Sequence, residues 1–282
     1  MLTVVIPTLG RSDALPDVLR RLRGVEVLLC VDADGVVPGA PAHVRVLRAT
    51  TPGASAARNL GIAEASGRVV LFLGDDIVPT RRLLARHTAF HGASPADTAA
   101  LLGRVFYRRP TGFMKWLERG IQTDYGSIPA SGRAGWAHFY TSNVSVKTAL
   151  LRRAGGFDEA LPFLYEDLDL GRRLHELGMQ LRYDPAADAE HRHPTTLEDW
   201  ERRMELIGAA ERAFAEKHPD FEPYFRRRLR PHVARGRGAR LARVVPPGAP
   251  LLGPKVWSSA EAYYAGRLEP AFTRGWERGA PR

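Results

Sequence analysis

The fold is decided by the stretch Val69-Val70-Leu71-Phe72-Leu73-Gly74-Asp75-Asp76-Ile77-Val78-Pro79, in which a hydrophobic strand runs into two adjacent carboxylates. Ligands of parallel α/β sheets bind at the carboxyl ends of the strands, so Asp75 and Asp76 stand where a site is expected. Clustered carboxylates repel each other unless a cation is present, and their hard oxygens suit Mn²⁺ or Mg²⁺, which can bridge to a diphosphate. On this motif alone, an aspartate pair that caps the following helix is an equal alternative.

The surrounding residues alternate short β-rich runs with helical patterns, which is typical of an α/β domain with a largely parallel sheet. Up to residue 100, the patterns predict strands at 3–6, 26–31, 44–48 and 69–73, and helices at 12–22 and 54–65. A Ser12/Asp13 cap is expected to open the first helix. Beyond residue 100, they predict strands at 101–107 and 141–146, and helices at 113–119, 147–154, 166–177 and 200–217. The Gly/Ser-rich segment 120–135 is a candidate mobile loop.

Length and composition allow one large domain or two fused ones, because 282 residues with 44% hydrophobic side chains bury a sizeable core. The apolar stretches are far shorter than the roughly 20 residues of a membrane-spanning helix. Residues 1–7 lack a basic leader and a cleavage site, so they indicate a first strand, with a cytoplasmic location as the default. Cys30 is the only cysteine, which excludes an intrachain disulfide, and its apolar neighbours predict a buried thiol.

The net charge of +10 is concentrated near the C-terminus, where residues 222–282 hold 13 Arg or Lys against 4 Asp or Glu. This basic tail includes Arg226, Arg227, Arg228, Arg230, Arg235, Arg237, Arg240 and Arg243. The clustering predicts an anionic partner, such as a membrane surface or an acidic glycan, although a solvated basic face fits it at least as well. The tail is interpreted as a helical extension, a wrapping arm or a partly disordered segment.

A second acidic strand end occurs at Asp32, which follows the apolar run 27–31. Its carboxylate could accept a hydrogen bond from a base N–H or a ribose hydroxyl, and a plain Asp-Gly turn is an equal alternative. His191 and His193 stand two residues apart, so an extended segment places both imidazoles on one side. His87 and His91 have no partner motif and are expected on the surface of a helix.

Seven ordered motifs make the chain resemble the family 2 glycosyltransferases of the GT-A fold. They are Val4-Val5-Ile6-Pro7-Thr8 with Arg11 and Ser12, Val31-Asp32, Pro52-Gly53 through Ala57-Arg58-Asn59 to Gly61, Leu73-Gly74-Asp75-Asp76, Ser142-Asn143, Gly155-Gly156-Phe157-Asp158-Glu159, and Glu166-Asp167-Leu168-Asp169-Leu170. The resemblance covers residues 3 to about 195. It implies an α/β fold with a Rossmann-like nucleotide-binding half, a mostly parallel mixed sheet flanked by helices, and a C-terminal extension.

The resemblance also implies an activity, namely metal-dependent, inverting transfer of a sugar from a nucleotide-diphosphate sugar to a sugar or lipid-linked acceptor. It places Asp167 as the catalytic base with Glu166 beside it, and Asp76 as the main ligand of Mn²⁺ or Mg²⁺. His191 is favoured over His193 as a further metal ligand. Around the nucleotide it places Pro7, Thr8, Leu9, Arg11, Asp32, Arg58 and Asp75, and around the acceptor Trp136, Asn143 and Gly156. The chain departs from the family at Leu9-Gly10, where an aromatic-Asn pair is frequent, and at Gly74, where a further Asp is common.

The same resemblance divides the chain into a nucleotide-sugar-binding half at 1–100, an acceptor-binding and catalytic half at 101–220, and a basic extension at 221–282. A retaining transferase of similar fold stays open, because it would not require Asp167 as a base. A nucleotidyltransferase would need a Gly-rich phosphate loop near the N-terminus, which the sequence lacks. A nucleic-acid-binding protein would explain the basic tail, but RNA motifs and zinc spacing are absent, so no nucleic-acid partner is expected. A homo-oligomer stays open.

Overall fold

The computed structural model describes residues 1–161, 164–193, 195–229 and 254–279, with the backbone alone over 254–260. The chain divides into two compact units. The first comprises 1–108, 124–159 and 166–193, and the second comprises 109–123, 160–165 and 194–282 as far as these are described. The functional division at residues 100 and 220 stays a prediction, because compactness does not report function.

The first unit is built on one mixed sheet, which has eight strands among the described residues. Its strands are β1 (Leu2–Thr8), β2 (Glu26–Val31), β3 (Val44–Arg48), β4 (Val69–Leu73), β5 (Ile77–Pro79), β6 (Ala99–Phe106), β7 (Asn143–Lys147) and β8 (Gln180–His191). They lie in the order β3-β2-β1-β4-β7-β6-β8-β5. The first four in that order are parallel, β7 is antiparallel to β4 and β6, β6 is parallel to β8, and β5 is antiparallel to β8.

The helices that accompany these strands are α1 (Leu15–Arg21), α2 (Ala54–Glu64), α3 (Leu83–Ala93), α4 (Gly112–Leu117), α5 (Thr148–Arg153), α6 (Glu166–Glu176), α7 (Leu197–Lys217), α8 (Tyr224–Leu229) and α9 (Pro254–Arg278). Short 3₁₀ turns cover Tyr125–Ser127 and Trp136–His138. The described helices include none with both the length and the apolar character that crossing a membrane demands.

Strands β1, β2 and β4 are buried on both faces, which explains why β4 is a continuous apolar run, whereas β3 at the edge of the sheet is mostly exposed. Alternate residues of β4 enter opposite cores: Phe72 packs in the core that contains the apolar side of α2, and Leu71 in the core that contains α1. Cys30 is fully buried, as expected, and burial raises the pKa of its thiol to about 12. The fully buried position is that of a small core residue rather than a reactive thiol.

The start of the first helix differs from the sequence prediction. Helix α1 begins at Leu15, and its N-cap residue Ala14 provides no side-chain cap. Ser12, the expected cap, instead donates its hydroxyl to the backbone oxygen of Asp75 at 3.0 Å. The serine therefore ties the loop after β1 to the loop after β4, and the capping prediction at this position was wrong.

The segment 120–135 contains residues that are hydrogen bonded to β8. Tyr183 N donates to Gly132 O at 2.8 Å, and Ala134 N donates to Leu181 O at 3.0 Å. A single bridge joins Arg133 to Arg182 between these bonds. This part of the expected mobile loop therefore lies along the sheet.

The second unit is dominated by α7 and α9, which pack closely. Gly208 on α7 leaves no room for a Cβ, which would lie 2.1 Å from Phe272 O. Gly275 on α9 is equally tight, since its Cβ would lie 1.8 Å from Glu205 O. Helix α7 starts with a capping box in which Thr196 and Asp199 bond each other's backbone. Two glycines therefore permit the close approach of these long helices.

Candidate active site

Three parallel strands end at the edge where the sequence predicts a site. Strand β1 ends at Thr8, β2 leads into Asp32, and β4 leads into Asp75 and Asp76. Strand β1 lies between β2 and β4, so the two acidic strand ends flank the central strand rather than adjoin each other. The order explains why Thr8, at the end of the middle strand, contacts the acidic loop after β4.

Asp75 is turned toward β1. Its Oδ2 accepts a hydrogen bond from Thr8 Oγ1 at 2.6 Å. Burial raises the pKa of the Asp75 carboxyl, the Thr8 hydrogen bond acts in the opposite direction, and the charge of Asp76 raises it further. The two adjacent carboxylates therefore occupy different environments.

Asp76 is turned toward β8. Its Oδ2 lies 3.1 Å from His191 Nε2, and its backbone oxygen accepts a hydrogen bond from Arg192 N at 2.9 Å. Burial acts to raise the pKa of Asp76, but the hydrogen bond and charge of His191, with the charge of His193, hold it below its ordinary value. Asp76 is therefore kept ionised at the sheet edge.

His191 reaches Asp76 because β5 and β8 pair with Ile77 opposite His191. The His191 ring stacks on the ring of Tyr107, with centroids 4.8 Å apart, and the ring of His193 lies 6.3 Å away. Over the described ranges, no three His, Cys, Asp or Glu side chains are grouped as a metal-binding set. A cation held by Asp76 and His191 would thus take its other ligands from a bound molecule or water.

Asp32 uses both carboxylate oxygens to hold neighbouring backbone. Its Oδ1 accepts from Asp34 N at 2.9 Å, and its Oδ2 accepts from Gly53 N at 2.7 Å. The turn that was the alternative interpretation is present, with Gly35 N donating to Asp32 O at 2.9 Å. An ionised carboxylate has about four acceptor positions, so these two bonds leave capacity for a ligand.

Apolar side chains are exposed beside Asp32. Leu9 is 46% exposed and Val36 is 59% exposed, and Val36 N donates to Leu9 O at 2.9 Å. Gly10 permits this contact, because its φ is +75° and a Cβ there would lie 1.8 Å from Val36 O. Pro7, in β1, is half-buried, and Arg11, on the loop after β1, is exposed. The loop after β1 therefore presents an apolar surface next to an acid.

Arg58 and Glu166 form a buried ion pair that joins α2 to the first turn of α6. Arg58 Nη1 lies 2.9 Å from Glu166 Oε1, and the two side chains are 11% and 2% exposed. The Arg58 guanidinium also lies over the ring of Phe157, 5.3 Å from its centroid. These contacts direct both charges inward, and a contact of Arg58 with a nucleotide stays a prediction.

Asp167, next to Glu166, has a different environment. It is half-buried, and its Oδ2 accepts two hydrogen bonds from Thr141, from the backbone N–H at 3.1 Å and from Oγ1 at 2.9 Å. Among the described residues, nothing donates to its Oδ1. The structure thus separates a buried, paired Glu166 from a partly exposed Asp167 that is held by one oxygen. Sequence reasoning did not single out Thr141, although it adjoins the Ser142-Asn143 motif.

Asn143, an expected acceptor contact, is fully buried and has no surface with which to touch an acceptor. Its Oδ1 lies 3.0 Å from His87 Nε2, and its Nδ2 donates to Ala187 O at 2.8 Å. Ser145 Oγ lies 2.7 Å from His87 Nδ1 and 2.8 Å from His91 Nε2. The prediction that both histidines lie on a helix surface was wrong, because α3 packs its histidine face against polar residues of β7.

This histidine pair predicts a loss of stability at mildly acidic pH. Burial lowers the pKa of His87 to about 4 and that of His91 to about 3, from an unfolded value of about 6.5. Below about pH 6.5 the unfolded chain therefore binds protons that the folded chain does not. Each histidine should lower the free energy of unfolding by up to about 1.4 kcal/mol per pH unit, from pH 6.5 down to its folded pKa.

Urea unfolding at pH 7, 6 and 5 measures this slope. His91→Gln removes one titrating group and should flatten the slope, whereas His175→Gln, at an exposed position of α6, is the matched control and should not. An equal slope in wild type and His91→Gln would contradict the assignment.

The Gly155-Gly156 turn is held by Asn59 rather than open to a ligand. Asn59 Oδ1 accepts from Phe157 N at 2.7 Å, and a Cβ on Gly156 would lie 2.4 Å from that oxygen. Gly156 is buried with φ +71°, so it shapes the turn.

Trp136 is half-buried in a 3₁₀ turn whose backbone lies against Gly171 of α6. Of the three expected acceptor residues, only Trp136 presents a partly exposed side chain.

Comparisons with known proteins bear on this arrangement. A family model described as glycosyltransferase like family 2 matches residues 2–205. The pre-mycofactocin glycosyltransferases of two Mycobacterium tuberculosis strains, CDC 1551 / Oshkosh and ATCC 25618 / H37Rv, are 31% identical over 229 residues, covering 77% of this chain and 48% of the relative. The chain thus spans about half the length of the curated relatives it matches.

Solved structures show the same fold. A mannosyltransferase from Pyrobaculum calidifontis, in complex with GDP-Man and Mn²⁺, matches with a TM-score of 0.57 at 15% identity, over 99% of this chain and 76% of that one. S. aureus TarS 1–349 matches with a TM-score of 0.50 at 16% identity, over 98% of this chain and 88% of that one. The α/β fold of the GT-A type that the sequence motifs implied is confirmed.

Proposed function

Because this chain belongs to the glycosyltransferase-like family 2, we propose that it transfers a sugar from a nucleotide-diphosphate sugar to an acceptor hydroxyl, with inversion at the anomeric carbon. The observation that carries the proposal is the separation of two acidic groups in one unit. Asp76 is paired with His191 at the strand ends, and Asp167 is held by Thr141 at the start of α6. The position of Asp76 suits a role in binding the charged donor, and the position of Asp167 suits a role as the group that accepts the proton.

The nucleotide is proposed to lie along the ends of β1 and β2. The exposed apolar side chain of Leu9 offers a contact for the nucleobase, and Asp32 offers spare acceptor positions for its N–H groups or for the ribose. Pro7, near the end of β1, and Arg11, on the loop after it, flank this surface, and Thr8 fixes Asp75 beside it. The apolar Leu9 replaces the aromatic residue that is frequent in the family, so donor identity needs a direct screen.

The acidic edge fits a divalent cation. Asp76 is held ionised and lies beside an imidazole that has a ring nitrogen directed at the same carboxylate. A carboxylate suits both Mn²⁺ and Mg²⁺, and Mg²⁺ is commonly held by one or two carboxylates together with substrate phosphates. The bound ion would supply positive charge for the departing diphosphate. Asp76 and His191 are the proposed protein ligands.

Asp167 is proposed as the base. As the acceptor oxygen forms its bond to the anomeric carbon, the bond from that carbon to the diphosphate oxygen breaks, and the hydroxyl proton passes to Asp167. Glu166 is buried against Arg58 and so orients the first turn of α6 rather than taking the proton. Nucleophile and leaving group lie on opposite faces of the sugar, which gives inversion.

The acceptor is proposed to approach Trp136, which is half-buried near α6. Gly156 and Asn143 are buried, so they are proposed to shape the site without touching the acceptor. The curated relatives are named pre-mycofactocin glycosyltransferases, so an acceptor screen should include pre-mycofactocin beside simple sugars and lipid-linked sugars.

A donor screen tests the proposed function. Purified protein is incubated with UDP-, GDP- and dTDP-sugars, with Mn²⁺, with Mg²⁺ and with EDTA, and released nucleotide diphosphate is measured. We expect release from at least one donor, stimulated by metal and lost with EDTA. Absence of release from every donor, in protein whose circular dichroism shows it folded, would contradict the proposal.

The basic tail is proposed to favour an anionic surface, whether membrane lipid, a lipid-diphosphate acceptor or an acidic glycan. Of the eight arginines between 226 and 243, three are described, and each has a partner in the second unit: Arg226 lies over Trp276, Arg227 pairs with Glu222, and Arg228 donates to Arg119 O. Arg230, Arg235, Arg237, Arg240 and Arg243 lie outside the described residues.

Co-sedimentation with anionic and zwitterionic vesicles, and with acidic glycans, tests this surface. We expect binding to one of the anionic probes that weakens as salt is raised. Failure of both anionic vesicles and acidic glycans to bind at low ionic strength would assign the basic tail to solvation or subunit packing.

A further inference from the structure

We propose that Thr141 is a positioning residue for the transfer reaction, because it holds the Asp167 carboxylate by one oxygen and leaves the other for the acceptor hydroxyl. This inference rests on the proposed function, in which Asp167 is the base. It assigns a role to a residue that none of the sequence motifs named. The evidence is the pattern of donors on the two carboxylate oxygens.

Both donors of Thr141 meet the same oxygen. The backbone N–H lies 3.1 Å from Asp167 Oδ2, and the Oγ1 hydroxyl lies 2.9 Å from it. An ionised carboxylate only accepts, so the hydroxyl must be the donor. Two charge-assisted hydrogen bonds from one residue fix the rotation of the carboxylate, since turning it would break both.

The second oxygen, Asp167 Oδ1, is the one that we propose takes the proton of the acceptor hydroxyl. Oδ1 accepts no hydrogen bond from the described residues, and Asp167 is half-buried while Thr141 is only 3% exposed. The buried Thr141 thus anchors one oxygen of the carboxylate, and the other oxygen is not engaged by the described residues. A general base needs an oxygen in a fixed direction as well as within reach of the proton.

Thr141, which holds the Asp167 carboxylate, lies directly before a strand of the sheet. Thr141 lies in the turn that enters β7, and Asn143 N in that turn donates to Tyr140 O at 3.2 Å. Two residues on, the Asn143 side chain is held inside the sheet by His87 and Ala187. The orientation of Asp167 at the start of α6 is therefore set by the turn that enters β7 as well as by α6 itself.

Glu166 shows why the anchor matters for the choice of base. Its Oε1 is engaged by Arg58 at 2.9 Å, and its side chain is 2% exposed. The chain therefore places two adjacent acids in opposite roles, one as a buried counter-ion and one as an oriented acceptor of protons. Thr141 is the residue that orients the second acid.

The test compares Thr141→Val with Thr141→Ser. Valine keeps the branched shape and the backbone N–H but removes the hydroxyl, and serine restores the hydroxyl. We expect Thr141→Val to lower kcat on the order of tenfold with donor KM within about twofold, and Thr141→Ser to keep most of kcat. Thr141→Ala removes the same hydroxyl and gives the same comparison if the valine variant does not fold.

Thr148→Val is the matched control. Thr148 is 4% exposed, and its Oγ1 donates to Gly67 O at 2.7 Å, before the start of β4 and away from the acidic edge. It should lose stability as Thr141→Val does and keep kcat. Equal losses of kcat in the two valine variants, or no recovery in a folded Thr141→Ser, would overturn the proposal.

Asp167→Asn separates this inference from the proposed function. If Asp167→Asn abolishes transfer while Thr141→Val and Thr141→Ala keep the wild-type kcat, Asp167 is the base and the positioning role of Thr141 is wrong. If Asp167→Asn itself keeps wild-type transfer, the base assignment fails and the positioning role falls with it.

Discussion

Replacement of Asp167 by asparagine is expected to lower kcat on the order of a hundredfold or more while donor affinity stays nearly intact. The amide fills the same space and can still accept from the Thr141 hydroxyl, but it cannot take a proton. Turnover is measured by release of the nucleotide diphosphate in the presence of acceptor, and donor affinity by calorimetric titration with Mn²⁺ present.

Asp184→Asn is a suitable control for the Asp167 experiment, because it removes a carboxylate that pairs with Arg86 at 2.6 Å elsewhere in the first unit. Its turnover should stay within about twofold of wild type. If Asp167→Asn transferred sugar at the wild-type rate but lost donor binding, Asp167 would be a nucleotide contact, and the base would have to be another group.

Asp76→Ala is expected to remove the stimulation of donor binding by metal, so that the affinity measured with Mn²⁺ falls on the order of a hundredfold. Removal of one oxygen ligand leaves His191 without its carboxylate partner and leaves the diphosphate charge uncompensated. The chain should still fold, since Asp76 is part-exposed and lies beyond the end of β4. Calorimetric titration of donor with Mn²⁺ and with EDTA measures the effect.

Asp34→Ala provides the comparison for Asp76→Ala, because it removes an exposed acid from the loop after β2 at the same sheet edge. It should keep the metal-dependent affinity for the donor. That result would show that Asp76 acts as a specific ligand and not only through the negative charge of this sheet edge. Near-normal donor affinity of Asp76→Ala in the presence of Mn²⁺ would remove the metal role assigned to this residue.

The sequence predicts the first half of the sheet well for a physical reason. Strands β2, β3 and β4 were predicted with the bounds that the structure shows. Strands β2 and β4 are covered on both faces and are therefore nearly continuous apolar runs, whereas β3 is mostly exposed and combines Val and Leu with two arginines. Asp75 and Asp76 follow directly from where the last of these runs ends. The end of the apolar run of β2 likewise predicted that Asp32 lies at this edge of the sheet. The sequence did not predict which backbone N–H groups its carboxylate binds.

Strand β8 could not be predicted in this way, although it carries His191 to Asp76. Its residues 184–188, Asp-Pro-Ala-Ala-Asp, include a proline and no large apolar side chain, and its register against β6 shifts between Gly103 and Arg104. Such an irregularity interrupts the alternation of apolar and polar residues by which a strand is predicted. Strand β5 has only three residues and, among the described strands, pairs with β8 alone, so it has no pattern of its own.

Long-range polar contacts were the other part beyond the reach of the sequence. His87 and His91 look like surface residues because their partners, Asn143 and Ser145, lie more than fifty positions away on β7. The contact between Thr141 and Asp167 likewise joins two elements that are distant along the chain. A single sequence shows which residues suit a contact but not which of them the fold brings together.

The anomeric configuration of the product tests the central claim most directly. The donor that turns over in the screen is incubated with acceptor and metal, and the configuration of the new glycosidic bond is determined by NMR. A single displacement assisted by Asp167 predicts a configuration opposite to that of the donor. A product that retains the donor's configuration would contradict the account, because the transfer would not then require Asp167 as a base.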